Sequence, residues 1–169
     1  KRGKTQQSSL PPVSNPISSY CANPINFTTG SKVQYETDYA AAGASALSFT
    51  RRYDSQAATG AVAGVLGSRW SHNHEFRIVE LTASVYVVRP GGKVIYFSPS
   101  QAGSWVSSAN VVDTLLKTST GWEYRYGGDD LEVYDSKGRV LTRSTPSGLQ
   151  LSYSYDANGN LTQVSDSFN

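Results

Sequence analysis

The chain's two imidazoles, His72 and His74, stand two residues apart. On a strand, positions i and i+2 project to one face, an arrangement that zinc sites use when cysteine or carboxylate ligands complete the set. Here the same alternation puts Trp70, Phe76 and Ile78 on that face and turns Glu75 to the other. No third ligand falls beside the pair, so a core or interface role is expected of them, not metal binding. Asp129, Asp130 and Asp135 form a second ionisable group. Carboxylates in pairs serve as general acid and base or as calcium ligands, but these three lie in and beside turn sequence, where Asp bonds backbone amides. Cys21 is the one cysteine. It has no internal disulfide partner, and no neighbouring base marks it as a nucleophile. Nucleophile-elbow, phosphate-loop and dinucleotide fingerprints do not occur. Asn26-Phe27-Thr28 and Asn160-Leu161-Thr162 fit the N-glycosylation pattern, which matters for a eukaryotic source. The chain is therefore read as a non-enzyme with no cofactor and no metal. Tyr124, Tyr126 and Trp105 are the candidates for stacking on a surface glycan.

The elements that would position these residues are strands. Val33, Tyr35, Thr37 and Tyr39 alternate with Lys32, Gln34, Glu36 and Asp38, a period of two with one greasy face. Leu47, Phe49 and Tyr53 continue that period, with Arg51 on their side. Residues 70–78 read as one strand. Val85–Arg89 and Lys93–Phe97 face each other across Pro90-Gly91-Gly92, a turn signal. Residues 56–67 and 99–110 read as loops, and 111–117 is ambiguous between helix and strand. Trp122, Tyr124 and Tyr126 alternate with Glu123 and Arg125, and 127–130 turns the chain into Leu131–Asp135.

The C-terminal part repeats. Tyr134-Asp135-Ser136-Lys137-Gly138-Arg139-Val140-Leu141 recurs in phase as Tyr155-Asp156-Ala157-Asn158-Gly159-Asn160-Leu161. Periodicity near twenty residues marks an array whose units cannot each bury an apolar face alone. Asp-x-x-Gly suits a type I turn closed by a left-handed Gly, a common hairpin connection. Tyr134, Asp135 and Gly138, with Tyr155, Asp156 and Gly159, are accordingly read as structural turn residues. An Asp that recurs in each unit serves the turn, since a catalytic group is needed once.

Composition narrows the partners. Only 17% of residues are charged and the net charge is +2. The basic cluster Lys1, Arg2 and Lys4 is a solvated terminus in this reading, with no Lys/Arg face behind it, so no nucleic-acid partner is expected. Apolar runs are too short to span a membrane as a helix. Residues 1–24 carry Pro11, Pro12, Pro16 and Pro24 among Ser, Gln and Asn, which predicts an extended arm. Its isolated apolar residues Leu10, Val13, Ile17 and Tyr20 are candidate anchors on a neighbour.

These motifs together resemble the RHS/YD-repeat family of large bacterial proteins, with relatives among the teneurins. Besides the two Tyr-Asp-x-x-Gly repeats, the resemblance rests on Asn23–Lys32 followed by Glu36–Tyr39, on Leu47–Tyr53 and on Leu66–His72. It implies three parts: the arm 1–24, an opening β domain over 25–128, and YD hairpins over 129–169. The expected fold is all-β, an antiparallel meander of hairpins after an extended Pro/Ser-rich arm. The expected function is a non-catalytic scaffold at the start of a shell that encloses a C-terminal toxin. Such a protein is secreted or held at the cell surface as cargo of a bacterial secretion system. Its expected partners are other β segments of the shell or further copies of itself, giving an oligomer. A self-assembling, strand-exchanging extracellular protein and a carbohydrate-binding module are the alternatives.

Overall fold

The structure is a computed structural model, and it describes residues 25, 26, 28–42, 45, 47–57, 64–100, 104–107, 112–127 and 129–168. The arm 1–24, with Cys21 and its candidate anchors, lies outside the described residues. Every element in the described part is a strand, apart from a short 3-10 turn at Pro90–Gly92. The fold is all-β and antiparallel throughout.

The strands form two sheets. The smaller joins β1 (Val33–Ala40), β2 (Ser48–Asp54) and β3 (Trp70–His72) in that order. The larger is a ten-stranded meander in strict sequence order. It runs β4 (Arg77–Glu80), β5 (Val85–Arg89), β6 (Lys93–Pro99), β7 (Trp105–Ser107), β8 (Thr114–Lys117), β9 (Gly121–Tyr126), β10 (Asp130–Asp135), β11 (Val140–Ser144), β12 (Gln150–Tyr155) and β13 (Leu161–Asp166). The sheet passes without a break from β9 to β10, pairing Asp130 with Tyr126 and Asp135 with Gly121.

Residues 70–78 are two strands in two different sheets, not the one strand that their alternation suggests. The reason lies at Asn73, whose side chain takes over the edge of β2. Its Nδ2 donates to the Ser48 carbonyl (3.0 Å) and its Oδ1 accepts from Thr50 N–H (3.1 Å). The backbone then turns, with Glu75 N–H bonding the His72 carbonyl at 3.2 Å. Within the stretch read as loop, Trp105–Ser107 pairs with β6, and Thr114–Lys117 resolves the ambiguous segment as strand β8. The alternating face of β1 is core at Val33 but not beyond it: Tyr35 is 59% and Tyr39 56% exposed.

The larger sheet is curled, and bond geometry shows how far. Six ladder steps separate β4 from β10, which in a flat sheet is roughly 29 Å at about 4.8 Å per step. Yet Ile78 N–H of β4 donates to the carbonyl of Gly138, in the β10–β11 turn, at 2.8 Å, and Arg77 bridges Arg139. The curl's inner face is the core. Val85, Val87, Ile95, Phe97, Trp122, Tyr124, Tyr134 and Val140 are buried there, and Leu47 of the opening segment packs against them.

Candidate functional site

The repeat turns show their construction at atomic detail. In the first, the Asp135 Oδ1 accepts the N–H groups of Lys137 and Arg139, both at 2.9 Å, while Oδ2 takes Arg139 Nε at 2.7 Å. The Asp135 carbonyl accepts Gly138 N–H at 3.0 Å. In the second, Asp156 Oδ1 accepts Asn160 N–H (2.8 Å), Oδ2 accepts Asn160 Nδ2 (2.9 Å), and the carbonyl accepts Gly159 N–H at 3.0 Å. Both glycines take the left-handed conformation, with φ of 77° and 86°, and each hairpin carries a bulge on the strand after its turn, at Leu141 opposite Tyr134 and at Thr162 opposite Tyr155. Burial works to raise the Asp135 carboxyl, but the bonds from Arg139 and Lys137 outweigh it and hold the group below its ordinary range. Asp156 is lowered by its bonds to the Asn160 side chain and backbone.

The tyrosines that open the motif differ in use. Tyr134 is wholly buried and donates its hydroxyl to Glu132 Oε2 at 2.6 Å. Tyr155 reaches back one repeat to the Val140 carbonyl at 2.9 Å, beneath the Arg139 guanidinium 5.0 Å from its ring centre. Burial, then the neighbouring Tyr153, pushes its hydroxyl up to about 12. The second unit is thus stitched to the first.

At the centre of the curl lies an ionic cluster that the sequence did not reveal. Glu132 has 0% exposure. It accepts from Arg89 Nη2 (3.0 Å) and Nη1 (3.3 Å), from Arg143 Nε (3.0 Å) and from Tyr134. Arg89 lies 3.8 Å from the Tyr126 ring centre and Arg143 4.0 Å from that of Phe76. β5 and β10 stand five ladder steps apart, so this ion pair crosses the interior and fixes the curl. With four donors on one carboxylate, the cluster has the hydrogen bonds that a buried charge requires. Its one sequence signal is an arginine on each of two strands flanking an acid on a third.

The histidines meet at the junction of the two sheets. His74 Nε2 lies 2.7 Å from the Ser48 carbonyl, so it carries the proton, and Nδ1 accepts from Tyr153 Oη at 3.3 Å. His72 Nδ1 accepts His74 N–H at 3.2 Å, leaving Nε2–H directed at Glu75 Oε1, 3.6 Å away. Phe49 lies against both rings. Three of the four ring nitrogens are engaged in this way, and no group of three metal-ligating side chains occurs among the described residues. Burial, with the charge of His74 second, lowers His72 to about 4. Burial raises Glu75.

The remaining candidates part company. Asp129 is exposed at the β9–β10 turn with φ 76°, and Asp130 begins β10 beside it; Asp135 belongs to the repeat turn. Tyr124 is fully buried and donates its hydroxyl to Asp113. Trp105 packs edge-on against Trp122, 5.5 Å between ring centres, and the Tyr126 face is covered by Arg89. The three aromatics named for sugar stacking are therefore core-facing, because strand alternation marks an apolar face without saying whether it is covered.

A family model described as RHS Repeat matches residues 134–168, the two hairpins whose turns are built alike. A second, described as Domain of unknown function (DUF6531), matches 22–97. Residues 134–168 carry the repeat of the RHS/YD-repeat family, and the two matches together are consistent with that family. Among curated proteins, none matches it. The RHS match covers β11, β12 and β13 with both Asp-x-x-Gly turns, and it points to a structural, shell-like role. No helix of the described residues is long and apolar enough to cross a membrane.

Proposed function

We propose that this chain is a non-enzymatic opening segment of an extracellular RHS-type shell wall, whose cargo, a toxin, is enclosed by strands beyond those described here. The observation that carries the reading is the position of β13. It ends the ten-stranded sheet and belongs to a repeat built in the same phase as the one before it. Ser167 N–H bonds the Gln150 carbonyl, and ladder groups alternate along the regular pairing from Leu151–Asp166 to Ser154–Gln163, so Val164 turns its N–H group to the open side. An edge of this kind accepts a further strand. The interior beneath β4–β10 is filled by side chains, which supports a wall segment or end cap in preference to a container. The non-enzyme reading is supported by the engagement of the histidines and by the turn positions of the aspartates.

The test mixes the purified chain with a separate polypeptide of further YD hairpins and measures native mass by light scattering. A complex heavier than the 18.2 kDa chain, lost with Val164→Pro, is expected, since proline removes the outward donor. Equal binding by Val164→Pro, or no complex, would overturn the reading. The strand-exchange alternative uses the same edge and differs in one outcome: the chain alone then forms oligomers sensitive to Val164→Pro. The burial of Tyr124 and the packing of half-buried Trp105 against the core give no support to the glycan alternative.

A further inference from the structure

Val140 and Leu161 hold the same step of the two repeats, yet they are covered unequally. Each is paired with the tyrosine that opens its motif, Tyr134 or Tyr155. Asp135 N–H donates to the Arg139 carbonyl at 2.9 Å, and Asp156 N–H to the Asn160 carbonyl at 3.0 Å. Carbonyls alternate sides along a strand, so in both units the following one, on Val140 or Leu161, points away from its own hairpin. At Val140 that carbonyl accepts the Tyr155 hydroxyl at 2.9 Å, and the residue is 0% exposed. Leu161 is only half-buried, and the place that corresponds to Tyr155 lies beyond β13, the end strand of the sheet. A cavity of about 280 Å³ opens there. Leu161 and Val164 form one wall, and Tyr39, Leu47 and Phe49 of the opening segment form the other. An apolar cavity of roughly 150 Å³ takes benzene, so this one has room for an aromatic ring.

We propose that this cavity is the socket for the tyrosine ring of a YD hairpin added at β13, whose hydroxyl donates to the Leu161 carbonyl as that of Tyr155 donates to Val140. The inference rests on the proposed function and deepens it, because it names the group by which the first added unit is held. It also gives the opening segment a task. The acceptor comes from the repeat, but the second wall comes from Tyr39, Leu47 and Phe49, which belong to no repeat. A second added unit lies two strands further out, roughly 10 Å away, and meets no such wall among the described residues. The first added tyrosine is therefore anchored on both sides, while the rest of that strand's inner face gains no cover.

The test titrates the full chain with a polypeptide of two YD hairpins and reads the affinity by calorimetry. Changing the first hairpin's tyrosine to alanine is expected to weaken binding on the order of thirtyfold, and changing it to phenylalanine about fivefold, the worth of one hydrogen bond. The same changes in the second hairpin are expected to have little effect. On the chain itself, Tyr39→Ser should weaken binding, while Tyr35→Ser, a change on the same strand at a tyrosine of similar exposure that does not line the cavity, should not. Equal effects in the two hairpins, or at Tyr39 and Tyr35, overturn the socket and leave strand addition at β13 standing. No complex at all defeats the proposed function, and the socket with it. A second measurement needs no hairpin. p-Cresol, which carries the tyrosine ring and hydroxyl, is added to the chain alone while the methyl resonances of Leu161 and Val164 are followed by NMR. Saturable shifts at those methyls are expected in the millimolar range, about the affinity open to so small a ligand, with weaker binding of toluene. Equal binding of toluene, or no shift up to the solubility limit, overturns the assignment of a phenol to this cavity.

Discussion

Replacing Gly138 or Gly159 with alanine imposes the same turn penalty but only one of them disturbs a second contact. Both residues hold left-handed φ values, and a β-carbon in that conformation costs about 1–2 kcal/mol. At Gly159 the nearest group to such a carbon is the movable end of Arg139, 3.7 Å away. At Gly138 the carbon would overlap the Ile78 carbonyl oxygen, which belongs to backbone. β4 must then withdraw, losing the Ile78–Gly138 hydrogen bond, worth about 1 kcal/mol, and part of the burial of Ile78, worth about 1–2 kcal/mol. Gly159→Ala should therefore cost about 1–2 kcal/mol and Gly138→Ala about 3–5 kcal/mol. For a chain of this size each kcal/mol moves Tm by about 2–4 °C, so the two variants, about 2–3 kcal/mol apart, should melt roughly 4–12 °C apart. Urea titration monitored by tryptophan fluorescence gives the same comparison as midpoints. Equal losses at the two glycines would refute the claim that β4 closes on the repeat turn.

Other outcomes follow from the same geometry. Glu132→Ala leaves two arginines without their carboxylate and should cost about 3–5 kcal/mol, whereas Asp38→Ala, at the exposed pair with Arg51, should hardly move the urea midpoint. Acid should weaken the fold through His72. Its folded pKa, about 4, lies below the unfolded value near 6.5, so the group contributes no difference above that pH. As pH falls from about 6.5 to about 4 the unfolded chain takes up the proton first, and roughly 3 kcal/mol is lost. His74 is also lowered by burial and acts in the same direction, while the raised Glu75 acts in the opposite one. Urea midpoints measured between pH 7 and pH 4 should fall, and His72→Gln should flatten the decline; an unchanged slope in that variant would remove His72 as the cause. Asp135→Ala removes acceptors for two backbone donors and the Arg139 side chain, and should cost about 1–2 kcal/mol by thermal melting.

What could be read from the sequence was what depends on near neighbours. Asp135 and Gly138 meet through a turn of four residues, so their roles follow from residue type and spacing alone. The same holds for Asp156 and Gly159, and for the hairpin across Pro90–Gly92. Side-chain alternation along Trp122–Tyr126 was equally plain, yet it left the cover of that face open, and Tyr124 and Trp105 were assigned to the wrong solvent. Tyr35 and Tyr39 show the converse: a clear alternation whose apolar face is buried at Val33 and exposed beyond it. Asn73 was invisible because its effect depends on Ser48 and Thr50, more than twenty residues away. Glu132 is the furthest case. Its neighbours Leu131 and Val133 are the apolar ones, so a local reading turns the acid outward. Only the curl that brings Arg89 and Arg143 over it reverses the face.

On the proposed reading, the curl also explains how a wall segment can exist before there is anything to enclose. A ten-stranded sheet must cover its inner face, and near β9 and β10 it does so with its own large side chains. Trp122, Tyr124 and Tyr134 are at most 2% exposed. Cover thins toward the end of the sheet: Leu151 and Tyr153 on β12 remain buried, but Leu161 and Val164 on β13 are only half-buried. Part of what covers them is borrowed from the opening segment, where Tyr39, Leu47 and Phe49 line a cavity of about 280 Å³ against Leu161 and Val164. A strand added at β13 would sit beyond the reach of Trp122 and Tyr134, with its inner face facing open space. The packed cluster around Glu132 is thus the feature that lets the sheet start curled, and the repeats can then carry that curvature outward without a core of their own. On this argument Glu132→Ala should alter more than stability. Complexes formed with added YD hairpins should lose a uniform curvature in electron micrographs, while Asp156→Ala, which loosens one turn and leaves the cluster intact, should preserve it.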